Sequence, residues 1–375
     1  MRRSSIIVHA GLEPNPTTGA IAPGFEPSTI FRYPEEGYHA AAYGYSRNNN
    51  PGRERLERAI AALEGGEQAA AFGSGMAAIQ AVIQSLGSGM HVIAPLDVYH
   101  GTRTLLNDFR DRWGLELSYV EMSEVDEVRK AFKPNTALIW LESPSNPMLN
   151  LSDISLIAAL AHEKMVTVCV DNTWPSPILQ QPLALGADLV MHSTTKYLGG
   201  HSDLLGGAIV SKTGRGLFEN IRKMQQIAGA VPSPFDCWLL LRSIRTLGIR
   251  VKQQVANAKE VVDWLTKQDW VEKVFYPGLP DHPGHSIAKK QMSDFGAMIS
   301  FTVKLSPEKV LSMVSKSSLI SPATSLGGVE STWEHRFSTE GPLSKTPDTL
   351  IRLSVGIEDV DDLIEDIQQS YQLAR

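Results

Sequence analysis

A mostly parallel α/β fold follows from two features of this 375-residue chain. Between residues 68 and 191, short apolar stretches alternate with segments of helical periodicity. From Arg250 onward the pattern changes to a long helical stretch, then strands, then a final helix. The first pattern is that of a sheet covered by helices on both faces. The second is that of a smaller α+β unit. The length also exceeds what one small core fills, so a large unit and a smaller one are expected. Residues 1–52 differ again: they are rich in Pro, Gly and Asn, with few periodic apolar positions, and read as an extended arm. The expected division is an N-terminal arm over 1–52, a large α/β unit over 53–249 and a small C-terminal unit over 250–375.

Each element has its own signal. Helical periodicity begins at Arg53, sets Leu56, Ile60 and Leu63 on one face, and stops at Gly65-Gly66. Short apolar runs predict strands over 68–72, 91–94, 117–120, 137–141, 166–170 and 188–191. Helices are expected near 76–86, 101–112, 124–132 and 152–163. Beyond Arg250, a helix over 251–267 leads to strands at 271–276 and 297–303. A strand at 350–355 and a helix from about Asp359 end the chain. In such sheets ligands bind at the carboxyl ends of the strands.

Composition narrows the function classes. A net charge of −6 with no basic block argues against nucleic acid. The two cysteines, Cys169 and Cys237, both sit in apolar surroundings and read as small core residues of a reducing compartment. From sequence, a disulfide between them stays open. No apolar run reaches the roughly 20 residues that span a bilayer. The N-terminus has two arginines but no long apolar run to make a secretory signal. A cytoplasmic enzyme is expected.

The most informative stretch is HSTTKYLGGHSDLLGG, His192 to Gly207. It sets Lys196 just past a buried strand, behind the hydroxyls of Ser193 and Thr195. A lone lysine there reads first as a surface residue of a Ser/Thr/Gly turn, but at the end of a buried strand it is costly unless solvated, paired or neutralised. A Schiff base to an aldehyde cofactor neutralises it, and the hydroxyls can bond a phosphate beside it. Pyridoxal phosphate has both groups. The other strand ends agree. Gly73-Ser74-Gly75-Met76-Ala77-Ala78 opens a helix after a strand, as a phosphate cup does. On that segment alone a nicotinamide-binding dehydrogenase fits as well, since GxGxxA is a loose dinucleotide fingerprint. Asp97, about 20 residues on, stands where a ribose-binding acid belongs. Tyr99 can stack on a flat ring and offer its phenol as a catalytic group for proton transfer, or sit half-buried at a domain edge. Glu142-Ser143-Pro144-Ser145-Asn146-Pro147 is a turn that can present Asn146 into a cleft. Asp171 follows a buried strand and needs a partner, which a pyridinium nitrogen would be, though alone it also fits an N-cap or turn role. Arg352, among apolar neighbours of a strand, is either a solvent-facing alternate or a fork for an α-carboxylate.

With these residues in place, the chain resembles the Cys/Met-metabolism PLP enzymes, a family of cystathionine γ-synthases, cystathionine γ- and β-lyases and methionine γ-lyases. The likeness runs from Val8-His9-Ala10-Gly11 to Ser354-Val355-Gly356-Ile357-Glu358-Asp359. It is most specific at HSTTKYLGGHSD and good at SGMAA, ESPSNP, VDNTW, SLGGVES and IRLSVGIED. The resemblance implies fold type I of PLP-dependent transferases, with active sites shared across a homodimer that usually pairs into a tetramer. It implies that Lys196 carries the cofactor and shuttles protons, that Asp171 holds the pyridine nitrogen and that Tyr99 stacks on the ring. Gly75, Met76, Ser193 and Thr195 are implied to bind the phosphate, with Tyr45 and Arg47 reaching the neighbouring subunit's phosphate. Asn146, Ser325 and Arg352 are implied to hold the substrate's carboxylate end. No residue is assigned to a metal.

Several positions depart from the family pattern. Asn50-Pro51-Gly52-Arg53 replaces a common NPTR. Thr324 stands where γ-synthases and γ-lyases often have glutamate. Ser325-Leu326 differs from the Ser-Trp pair of typical β-lyases, and Gly101 stands where methionine γ-lyases typically have a reactive cysteine. Glu334-His335-Arg336 replaces a common His-Pro-Ala, altering the loop that shapes the substrate's distal end. The implied activity is γ-replacement or γ-elimination on cystathionine or an O-acylhomoserine, with β-lyase or methionine γ-lyase activity as alternatives. The nicotinamide-dependent dehydrogenase and a PLP-binding protein without turnover are the readings from other classes.

Overall fold

The computed structural model describes residues 1–340 and 346–375. Its larger sheet has seven strands: β1 (Gln68–Phe72), β2 (His91–Pro95), β3 (Glu116–Val120), β4 (Thr136–Glu142), β5 (Thr167–Asp171), β6 (Leu189–Ser193) and β7 (Gly207–Ser211). They lie in the order β1-β7-β6-β5-β4-β2-β3. All pairs are parallel except those of β7, which runs antiparallel to both β1 and β6. Successive strand residues feed opposite cores. Ala69, Ala71, Val168, Val170 and Val190 pack to one side, and Ala70, Phe72, Cys169, Leu189 and Met191 to the other. That two-sided burial is why these strands read as continuous apolar runs.

Strand β7 was not expected. Its glycine-led start belongs to the motif after Lys196 and looks like turn in sequence. The structure uses Gly207 for close approach: it pairs with Phe72 on one side and Ser193 on the other. A Cβ there would lie 2.2 Å from the Ser74 carbonyl oxygen. The glycine thus lets the loops after β1 and β6 converge.

The second sheet holds β8 (Val271–Phe275), β9 (Met298–Val303), β10 (Ser321–Pro322), β11 (Thr332–His335) and β12 (Leu350–Ser354), in the order β10-β11-β12-β9-β8. Strands β10 and β11 were not anticipated; they are short and lack an apolar run. Helix Leu247–Leu265 begins four residues earlier than the periodicity suggested and buries Leu247, Val251, Val255, Ala258, Val261 and Val262. Helices Leu217–Ala228 and Pro234–Ile244 also went unread. Cys169 and Cys237 are buried free thiols in separate cores, so no disulfide joins them.

The arm is not wholly extended. Residues Arg3–His9 form a helix whose Ile7 is buried against the long helix at Gly248. Helix Pro51–Glu64 starts two residues before the expected Arg53. The Asn50 side chain accepts the Gly52 and Arg53 N–H groups at 2.9 and 3.3 Å, and Pro51 occupies the first turn, where its missing N–H costs nothing. The Asn50 amide also donates to Glu26 C=O and Ser46 Oγ, tying the arm to this helix start. Asn50→Ala removes the cap and both ties. It should lower unfolding free energy by about 1–2 kcal/mol, read as a lower denaturant midpoint with unchanged slope.

Candidate active site

The strand ends of the larger sheet meet the smaller sheet around a cavity of about 240 Å³. Strands β4 and β5 end in register at Glu142 and Asp171, both buried. Asp171 accepts the Thr173 N–H at 3.0 Å, and Glu142 accepts the Tyr99 N–H at 2.9 Å. Burial raises the pKa of both. The neighbouring Asp171 charge pushes Glu142 further up, whereas Thr173 and the field of His192 pull Asp171 back. Of the two, Glu142 is pushed further towards the neutral acid, and Asp171 keeps more of the bonding that favours a carboxylate. Among the described residues no cationic side chain forms an ion pair with Asp171.

The loop after β1 leads into helix Gly75–Gln84. Ser74 caps it, its side chain accepting the Ala77 N–H at 3.1 Å. The first helical bond, Ala78 N–H to Ser74 C=O, leaves the Gly75 and Met76 N–H groups at the open end. A Cβ on Gly75 would sit 2.9 Å from Ser193 Cβ, so glycine brings this helix start against Ser193. Ser193 N–H donates to Thr173 Oγ1, and Thr195 Oγ1 accepts the Gly206 N–H. Behind them, His192 Nε2 lies 2.6 Å from Glu64 Oε1, which also accepts from the Asn172 amide at 2.7 Å.

Lys196 follows β6 and is half-buried. Its Nζ donates to Ser325 Oγ at 2.5 Å. Ser325 has φ +86°, a left-handed conformation that a non-glycine residue adopts only when its surroundings hold it there. Arg352 on β12 is buried, donating to Asn146 Oδ1 at 3.0 Å and to the Ser325 carbonyl at 3.1 Å. It also pairs with Glu334, which accepts from Arg336 at 2.8 Å, and its guanidinium lies 5.8 Å from the Trp174 ring centre. Burial and the Arg352 cation together lower the Lys196 pKa to about 8, against a smaller upward pull from Glu334.

Of the residues singled out from sequence, Gly75, Met76, Tyr99, Asn146, Asp171, Ser193, Thr195, Lys196, Ser325 and Arg352 line this one cavity. Tyr45 and Arg47 do not: both are exposed on the arm, and Arg47 donates to the Gln226 carbonyl near the end of helix Leu217–Ala228. Sequence reasoning missed Glu142, Thr173 and Trp174 as lining residues. The argument used for Asp171, an acid directly after a buried strand, applies equally to Glu142. Arg336 was noticed only as a departure, and it lines the cavity.

Residues 4–372 match the model of the family described as Cys/Met metabolism PLP-dependent enzyme. A cystathionine gamma-synthase of Mycobacterium tuberculosis is 44% identical, over 97% of this chain and 95% of its own. A cystathionine beta-lyase of Coxiella burnetii is 42% identical, over 96% of each. The crystal structure of a cystathionine gamma-lyase from Lactobacillus plantarum, complexed with L-serine, has a TM-score of 0.95 and 38% identity, covering 100% of this chain and 99% of that one. These three relatives carry three different activities on their names.

The cavity suits the group that the family name implies. It offers an amine of lowered pKa, a buried carboxylate with no cationic partner among the described residues, and a helix start with two hydroxyls beside it. The lysine makes this testable without turnover. Only the neutral amine attacks an aldehyde, so capture of pyridoxal phosphate by cofactor-free protein should rise with pH, half-maximal at about 8. Arg352→Leu removes a cation and should move that midpoint up; Glu334→Gln removes an anion and should move it down. Visible absorbance after mixing, followed across pH, reads both shifts.

Proposed function

The chain belongs to the family of Cys/Met metabolism PLP-dependent enzymes, and we propose that it works at the γ-carbon of sulfur amino acids. The substrates would be cystathionine or an O-acylhomoserine, taken through γ-elimination or γ-replacement. The observation that carries this reading is the meeting of Lys196, Ser325 and Arg352 in one cavity, with Leu326 beside them. In the resemblance drawn above, a leucine after this serine separates the γ-acting branches from typical β-lyases.

Bound pyridoxal phosphate supplies an aldehyde for an amine and a ring that takes up the electron pair left at a substrate carbon. Asp171 would keep the ring nitrogen protonated, the role for a buried carboxylate that ionises before its neighbour. Tyr99 would cover the ring face, its backbone held by Glu142. Gly75, Met76, Ser193 and Thr195 would hold the phosphate with N–H and O–H donors. Arg352, with Asn146 and Ser325 beside it, would receive the substrate's α-carboxylate as a fork. Lys196, once the substrate amine has taken its place, would remove the α-proton and return it; an amine of pKa about 8 is suited to both.

A second reading, β-cleavage of cystathionine, has support from Thr324, which lines the cavity without the carboxylate frequent in the γ-branches. A product assay with cystathionine, with an O-acylhomoserine plus cysteine, and with methionine separates them. We expect cysteine and 2-oxobutanoate from cystathionine, or cystathionine from the acylhomoserine, and loss of either with Lys196→Ala. Pyruvate and homocysteine as sole products would establish the second reading instead.

We also propose a homo-oligomer, a dimer or a pair of dimers, whose sites are completed by Tyr45 and Arg47 of a neighbouring copy. Ile21, Phe25, Ile30, Tyr33 and Tyr38 of the arm stay exposed on a single chain. Permanent interfaces typically bury more than about 2,000 Å², and the arm's apolar side chains suit one. Mixing Arg47→Ala with Lys196→Ala subunits should restore part of the activity that each lacks alone. The division at 52/53 and 249/250 and a cytoplasmic location belong to the same proposal. No helix among the described residues is long and apolar enough to cross a membrane.

A further inference from the structure

Helix Leu247–Leu265 turns three buried polar residues inward: Arg250, Gln254 and Asn257, spaced to share one face. The Arg250 guanidinium bonds only uncharged oxygens. It donates to the Tyr197 carbonyl at 2.8 Å, the Ser243 carbonyl at 3.1 Å, the Leu198 carbonyl at 3.4 Å and Thr246 Oγ1 at 3.1 Å. Among the described residues no carboxylate pairs with it, and burial alone lowers its pKa to about 10. A buried guanidinium without a counter-charge is expensive. Its location says what it serves.

Tyr197 and Leu198 directly follow Lys196. Their segment is a tight turn, closed by Gly199 N–H to Thr194 C=O at 2.8 Å and Gly200 N–H to Lys196 C=O at 2.7 Å. The last carbonyls of such a turn lack partners, and a cation satisfies them. Gly200 has φ +70°, and a Cβ there would lie 1.9 Å from Arg250 Nη1. With Arg250 in this place, position 200 has room for glycine alone. One helical turn further, Gln254 donates to the Gly328 carbonyl at 2.6 Å, and Val329 N–H donates to the Gly200 carbonyl at 3.0 Å. The loop that carries Ser325 is thus tied to the same helix and to the same turn. Asn257 completes the row on the Gly356 and Glu358 carbonyls, just beyond Arg352.

We propose that Arg250 and Gln254 are positioning residues that set the approach of Lys196 Nζ to Ser325 Oγ, Arg250 through the lysine turn and Gln254 through the serine loop. Neither lines the cavity. The inference rests on the PLP reading of Lys196 given above.

The test compares wild-type holoprotein with Arg250→Lys, Arg250→Met and Gln254→Met. Two readouts apply: the pH titration of the bound cofactor's visible band, and kcat and KM on the substrate that wild type converts. Displacing the amine by a fraction of an ångström should lower kcat roughly 10- to 100-fold and move the titration midpoint, with KM changed less than about threefold because Arg352 is untouched. Arg250→Lys should keep part of the activity, since an ammonium still meets a carbonyl. Gln254→Met strands the Gly328 carbonyl but also removes the buried Oε1 that has no partner, so it should lower the melting temperature by a few degrees and still fold. If Arg250→Met does not fold, Gln254→Met decides alone. Wild-type kcat and titration in Gln254→Met would overturn the proposal. A wild type with no visible band would overturn the PLP reading first, and is told apart by that absence.

Discussion

An amine held beside a guanidinium at the end of a buried strand is the constraint around which this site is arranged. Lys196 and Arg352 share one cavity, and both burial and the arginine's charge favour the neutral lysine. Such a pair persists only if the arginine's charge is answered elsewhere. Glu334, which Arg352 shares with Arg336, answers it, while Asn146 and the Ser325 carbonyl take further guanidinium donors. Ser325 gives the amine a hydroxyl partner and accepts a left-handed backbone to do so.

The carboxylates on the other side obey the mirror of that rule. Glu142 and Asp171 end neighbouring parallel strands, and parallel register brings their side chains together. Two buried acids so close cannot both carry charge at low cost. Bonding divides the roles: Asp171 has the Thr173 donors and the His192 field, whereas Glu142 has the Tyr99 N–H. The cavity therefore has a cationic wall on the smaller sheet's side and an anionic floor on the larger sheet's side. A zwitterionic amino acid beside a protonated pyridine ring matches that polarity.

Main-chain spacing makes this possible. Gly75 and Gly207 let the ends of β1, β6 and β7 approach more closely than any side chain would permit. Helix Leu247–Leu265 then ties the lysine turn, the serine loop and the segment after Arg352 to one rigid face. The arm contributes nothing to the cavity of its own chain; its exposed aromatic and aliphatic side chains face outward.

Much was legible in the sequence because it was local. Six strands and the helices between them follow from runs of apolar residues, since both faces of a parallel sheet are buried and each run declares itself. Lys196 and Asp171 each read, taken alone, as an ordinary turn residue; what singled them out was that several strand ends pointed to one cofactor's needs. Strand β7 was not legible, because its glycines carry no side-chain pattern and only pairing with β1 and β6 makes it a strand. Neither were the upward push on the Glu142 pKa, the sharing of Glu334 by two arginines, or the bonds of Arg250 to the lysine turn. Each depends on a partner far away in the chain: Asp171 lies on the next strand from Glu142, and Tyr197 on a different element from Arg250. Sequence by itself determined the chemistry available at each strand end. Which groups meet, and so which one carries the proton, was decided by tertiary structure, because burial and charge–charge distance exist only once the chain has folded.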